Sequence, residues 1–104
     1  MDVAFAQKMK KSARLASELL AALANDSRLM ILCHLVHGEK RVFEIAALVG
    51  LSQSALSQHL AKLRALGLVA SRRDGQCIYY RIASKEALRV LETLHEVYCD
   101  PARI

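Results

Sequence analysis

The chain has 104 residues, 54% of them hydrophobic and 24% charged, with four glycines, one proline and no tryptophan. That is one domain with a single core, too short for a catalytic plus a regulatory domain, and its composition excludes disordered, collagenous and low-complexity classes. The net charge of +5 is concentrated: residues 40 to 82 hold Lys40, Arg41, Lys62, Arg64, Arg72, Arg73 and Arg81 against only Glu44 and Asp74, which is the whole excess. A basic centre between nearly neutral ends points to a polyanion partner.

The longest apolar run, Leu19 to Ala24, is far below the roughly 18 residues a membrane span needs. Lys8, Lys10 and Lys11 follow the short apolar start instead of preceding it, so no secretory leader is read and a cytoplasmic protein without a membrane partner is expected. Three cysteines (Cys33, Cys77, Cys99) are too few and too scattered for a secreted disulfide scaffold; in a reducing compartment they are buried fillers, metal ligands or redox-active thiols.

Apolar Met9, Ala13, Ala16, Leu19, Leu20 and Leu23 recur at three- and four-residue spacing and predict a first helix over 3–23. Asn25 and Asp26 suit an N-cap for a second helix carrying Leu29, Met30, Leu32, Cys33 and Val36, closed by His37 and Gly38. After an extended lead-in at Lys40 to Val42, Phe43 to Val49 reads as a two-turn helix ended by Gly50. Ser52 caps a fourth helix, Gln53 to Leu66, with Leu56, Leu60 and Leu63 on one face and Gln53, Ser54, Ser57, Gln58 and Lys62 on the other. The period then changes: Leu68 to Arg73 and Gln76 to Ile82 are β-prone runs joined by an Asp74-Gly75 turn. Ser84 caps a last helix with Leu88, Leu91, Leu94, Val97 and Tyr98 as its stripe.

The fold class is mainly α with a small β-hairpin, a winged helix-turn-helix of order α-α-α-α-β-β-α in one domain spanning 1–104. Residues 43–66 form the helix-turn-helix and 68–82 the wing. The helices at 1–23 and 84–99 keep apolar stripes that a chain of this size cannot bury alone, so they are expected to join a homodimer. A major groove about 12 Å wide admits one helix, whose outward N-terminal side chains read base edges. Gln53, Ser54, Ser57 and Gln58 are placed for that role. His59, Lys62 and Arg64 suit phosphate or rim contacts, and Arg72 and Arg73 of the wing suit the backbone or an adjacent minor groove. A two-fold dimer then calls for double-stranded operator DNA with an inverted repeat. No phosphate-binding glycine loop or paired-carboxylate site is present, so an enzyme is not expected.

Leu23-Ala24-Asn25-Asp26-Ser27-Arg28-Leu29, Leu51 through Leu60 (Leu-Ser-Gln-Ser-Ala-Leu-Ser-Gln-His-Leu), Leu63-Arg64, Gly67-Leu68-Val69, Arg72-Arg73-Asp74-Gly75-Gln76 and Tyr79-Tyr80 together resemble the ArsR family of dimeric winged-helix repressors. The resemblance implies a repressor that leaves its operator when a metal ion or reactive species binds. The cysteine-rich motif that metal-sensing members carry at the third helix is replaced here by Val42-Phe43-Glu44-Ile45, and the last helix offers only Glu92, His95 and Glu96 of a zinc-sensing pattern. Cys33 and Cys99 match the dithiol positions of the family's sulfide- and persulfide-responsive subgroup. That implies a redox-sensing pair, joined by a di- or polysulfide bridge within one protomer when reactive sulfur is the effector, with no cofactor.

Chemistry leaves alternatives open. His34, His37 and His95 are near the two cysteines in sequence, which leaves room for a lowered thiol pKa. A bridge closing the 66-residue separation between Cys33 and Cys99 would remove about 4 kcal/mol of chain entropy, more than the 1 to 3 kcal/mol typical of allosteric coupling. Cys33 with His37 and His95 with Cys99 are each four apart, so these four could instead hold zinc. Inert buried cysteines are the third reading, and Cys77 is read as strand filler.

Overall fold

The structure, a computed structural model, describes residues 3–99. Residues 1 and 2 of the expected first helix, and 100–104, lie outside the described residues. Helix α1 (Val3–Leu23) leads into α2 (Asp26–Leu35), strand β1 (Lys40–Arg41), α3 (Val42–Val49), α4 (Gln53–Ala65), β2 (Val69–Asp74), β3 (Cys77–Ile82) and α5 (Lys85–Cys99).

The starts of α2, α3, α4 and α5 each have a local cause. The Asn25 Oδ1 accepts from the backbone N–H of Arg28 at 3.0 Å, Ser52 Oγ from that of Ala55 at 3.1 Å, and Ser84 Oγ from that of Ala87 at 3.0 Å, so all three expected caps form. Glu44 reaches back to the backbone N–H of Arg41 at 3.2 Å and starts α3. The α1–α2 corner is tied by Arg28, whose Nε and Nη2 donate to the carbonyls of Ala22 and Ala21 at the end of α1, where no intrahelical donor remains. Gly50, with φ +69, ends α3 in the left-handed region, so that Gly50-Leu51-Ser52 can turn the chain into α4.

The core is one cluster around α2 and α4. Ile31, Leu32 and Leu35 of α2, Ile45 of α3, Leu56, Leu60 and Leu63 of α4, Leu68 and Val69 at the foot of the wing, and Ala87 and Leu91 of α5 are all buried. On α4 the expected face is the buried one. On α2 the face differs: Met30 and Cys33 are exposed, and Ile31 and Leu35 are buried with Leu32. That helix is apolar nearly all round, so periodicity could not choose the face; contact with α3, α4 and β3 does.

The sheet is also larger than the expected hairpin. It has three strands in the order β1-β3-β2, with Lys40 opposite Tyr80 and Arg41 opposite Tyr79. The extended lead-in is therefore a strand, and the wing's second strand lies in the middle of the sheet. Asp74 pairs with Cys77, which makes the turn Gly75-Gln76 and not Asp74-Gly75. Gly75 has φ +63 and, among the described residues, no non-glycine residue has positive φ, the pattern of a two-residue turn with glycine in its first position.

The stripes of the outer helices remain uncovered. Of the six expected positions on α1 only Leu23 is buried, while Leu20 is 57% exposed; on α5 Leu91 is buried but Tyr98 is 73% exposed. Among the described residues, no helix is long and apolar enough to cross a membrane.

Candidate functional site

Gln53, Ser54, Ser57, Gln58 and Lys62 are all exposed along α4, and Arg64 is exposed near its end; His59 is half-buried. Three turns of this helix are fixed to the body by Leu56, Leu60 and Leu63, so the polar face is held rigidly outward. Between that face and the wing runs a cleft of about 620 Å³. It is walled by Gln53, Ser57 and Arg64 on one side and by Gln76, Cys77 and Tyr80 on the other, with Arg41 at one end. Sequence reasoning assigned the first wall and missed Arg41, Gln76 and Tyr80. Arg41 was visible in the charge count, but only the pairing of β1 with β3 places it beside α4 and the wing. Its guanidinium donates to Glu44 at 3.3 Å, which raises its pKa, with Cys77 acting in the same direction, and it lies 5.9 Å from the Phe43 ring centroid.

The wing arginines behave differently from each other. Arg73 makes no side-chain hydrogen bond among those seen for the described residues. Arg72 is engaged: its Nε donates to both carboxylate oxygens of Glu39 at 3.1 and 2.9 Å, its Nη2 donates to Glu39 Oε1, and its guanidinium carbon lies 4.3 Å from the centroid of the Tyr79 ring. Hydrogen bonding to Arg72 in turn holds the Glu39 carboxyl below the ordinary carboxylate range.

Cys33, Cys77 and Cys99 are free thiols. Cys33 lines a cavity of about 240 Å³ between α2 and α5 with Val36, His37, Leu91, Glu92 and His95. Cys99 ends α5, near enough that its charge acts on Cys33. The Cys33 thiol is raised, not lowered: although the residue is exposed in the single chain, partial burial of its sulfur pushes the thiol up, and the Cys99 thiolate pushes it further. No three His, Cys, Asp or Glu side chains converge as a metal-ligand set among the described residues. His37 and His95 share the cavity wall with Cys33, but Cys99 does not line it. Cys77 is half-buried in β3 and lines the cleft.

A rigid polar helix after a tight turn, flanked by a basic three-stranded wing, defines a winged helix-turn-helix DNA-binding protein. The model for the arsR family of bacterial regulatory proteins matches residues 25–71. The chain is 47% identical to the transcriptional activator HlyU of Vibrio cholerae over 90% of its own length and 87% of that protein's. It is 41% identical to the biofilm growth-associated repressor of Agrobacterium fabrum over 89% and 80%. The solved structure of reduced HlyU superimposes with a TM-score of 0.85, covering 90% of this chain and 99% of that one. A homodimeric winged helix-turn-helix DNA-binding domain from Mycobacterium bovis, 34% identical, gives 0.71 over 96% and 89%. The chain belongs to the ArsR family and is a DNA-binding transcriptional regulator, not an enzyme.

Proposed function

We propose that this regulator is a homodimeric repressor that senses reactive sulfur or oxidants through Cys33 and Cys99 and releases an inverted-repeat operator when the two are bridged. The observation that carries it is the cavity that Cys33 shares with His95 of α5, the helix that ends in Cys99, so that two free thiols lie on facing elements 66 positions apart in sequence. The Agrobacterium relative is a repressor, and the V. cholerae relative has a structure described as reduced. The uncovered faces of α1 and α5 supply the dimer surface, so a covalent tie from α2 to α5 links the DNA-reading body to the dimerisation helix.

The chemistry balances without a cofactor. One thiolate attacks the outer sulfur of a persulfide donor R–S–SH, becoming a protein persulfide and releasing RS⁻. The other cysteine attacks the protein-bound sulfur, forming the disulfide and expelling HS⁻. The pair gives up two electrons and two protons; the donor departs as a thiol and hydrogen sulfide. Within the DNA complex, Gln53, Ser54, Ser57 and Gln58 read base edges, while His59, Lys62, Arg64, Arg72 and Arg73 meet the backbone.

Fluorescence anisotropy of metal-free, reduced protein on its own promoter fragment tests the reading. Binding is expected to collapse on adding a sulfane-sulfur donor and to return with a thiol reductant. Binding that persists through the donor but falls on adding zinc would overturn the dithiol in favour of a metal sensor.

A further inference from the structure

We propose that Glu39 is a positioning residue for DNA binding: it grips the guanidinium of Arg72 by one edge so that the other edge meets a backbone phosphate. This rests on assigning Arg72 to the DNA backbone, as above. An acidic residue on a DNA-binding face is ordinarily a liability, since it repels the phosphates that the neighbouring lysines and arginines attract. Here the acid spans the sheet. Glu39 precedes the edge strand β1, Tyr79 sits in the middle strand directly opposite both Arg41 and Arg72, and Arg72 lies on the far strand. The carboxylate therefore reaches past the middle strand and holds an arginine that is already stacked on Tyr79.

The geometry of the grip decides its role. A guanidinium carries five N–H donors arranged as two forks, one formed by Nε with Nη2 and the other by Nη1 with Nη2. Glu39 takes Nε and one Nη2 donor, the first fork. Three of the five donors, including both on Nη1, are left for a second acceptor, and a phosphate is matched to that remaining fork. A free arginine loses rotamer freedom when it binds phosphate. Arg72 has already been ordered, by Glu39 at its edge and by Tyr79 at its face.

The test is a double-mutant cycle on binding to a fluorescein-labelled duplex of mixed sequence, which suffices because phosphate contacts carry no base information. Glu39→Gln is expected to weaken binding about fivefold, against the sign that removing a negative charge gives on its own. In an Arg72→Gln background the same change should not weaken binding. Arg72→Lys, which keeps the charge but has no fork, should fall to the level of Glu39→Gln. Arg72→Gln alone should lower the slope of log affinity against log salt by about one. If that slope is unchanged, Arg72 does not contact phosphate and the assignment of the wing fails. If the slope falls but Glu39→Gln binds as tightly as the unmodified protein or more tightly, Glu39 competes with DNA and the positioning role is wrong. Equal weakening by Glu39→Gln in both backgrounds also overturns it.

Discussion

Cys33 and Cys99 are 66 positions apart in sequence, yet a charge on Cys99 raises the cost of ionising Cys33. Burial is the larger cause and the neighbouring thiolate the second, and both act in the same direction. The Cys33 thiol is accordingly protonated at neutral pH, and its alkylation by iodoacetamide should keep accelerating above the pH at which an ordinary thiol has levelled off. Replacing Cys99 with Ser removes the second cause and lowers the Cys33 pKa, so Cys33 should react faster at pH 8 in that variant. Equal rates, measured by mass spectrometry of the Cys33 peptide, would separate the two residues.

The Cys33→Ser and Cys99→Ser variants should each bind promoter DNA as the parent does, because neither residue lies on the recognition helix or the wing. Neither should respond to a sulfane-sulfur donor. A single variant that still releases DNA in full would show that the bridge is not the switch.

Gln53 and Ser57 face the same cleft from α4. Replacing either with Ala should relax selectivity at one base pair in each half-site, by about 1–3 kcal/mol for a bidentate contact. Competition binding with a set of singly substituted operators reads this out. Uniform weakening across the set would instead assign the residue to the backbone.

A chain with Leu20 and Tyr98 this exposed should pair with a second copy in solution. Sedimentation of the parent is expected to show a dimer, and the Leu20→Glu, Tyr98→Glu double variant a monomer. Losing the second DNA-reading unit should reduce operator affinity by roughly a hundredfold. A double variant that remains dimeric would place the interface elsewhere.

Leu60 is 1% exposed under the recognition helix. Truncation to Ala should cost about 2–5 kcal/mol in urea-induced unfolding. The loss should appear in the midpoint with little change in slope.

Where one periodicity dominated, the sequence was readable. The four-three spacing of Leu56, Leu60 and Leu63, bracketed by Ser52 and Gly67, allows only one face to be inward, and the exposed side chains of the opposite face follow from it. The helix caps at Asn25, Ser52 and Ser84 were readable for the same reason: a short polar side chain before an apolar run has one local use. The wing was harder. Asp74-Gly75 and Gly75-Gln76 are both acceptable two-residue turns, and only the strand register separates them.

Long-range pairing escaped sequence reasoning altogether. Lys40 and Arg41 are too short a segment to show an alternating pattern, so their place at the sheet edge is set by Tyr79 and Tyr80, nearly forty positions away. The grip of Glu39 on Arg72 has the same origin, and composition alone counts both as ordinary surface charges. The Cys33 thiol is a related case: histidines near it in sequence say nothing of its surroundings in space, which desolvate it.

Strand β1 follows α2 after a short loop and joins the sheet through its middle strand. The hairpin is thereby tied to the end of α2 through its inner strand, in addition to its buried foot at Leu68 and Val69. Tyr79 lies three positions from Gln76 in the turn, a lever of about 10 Å at the usual rise per residue. A tilt of roughly ten degrees at the anchor would carry the tip by roughly 2 Å, which is enough to break a hydrogen bond to a phosphate. On the proposed reading of Cys33, this two-residue strand is the element that couples the end of α2 to the wing tip.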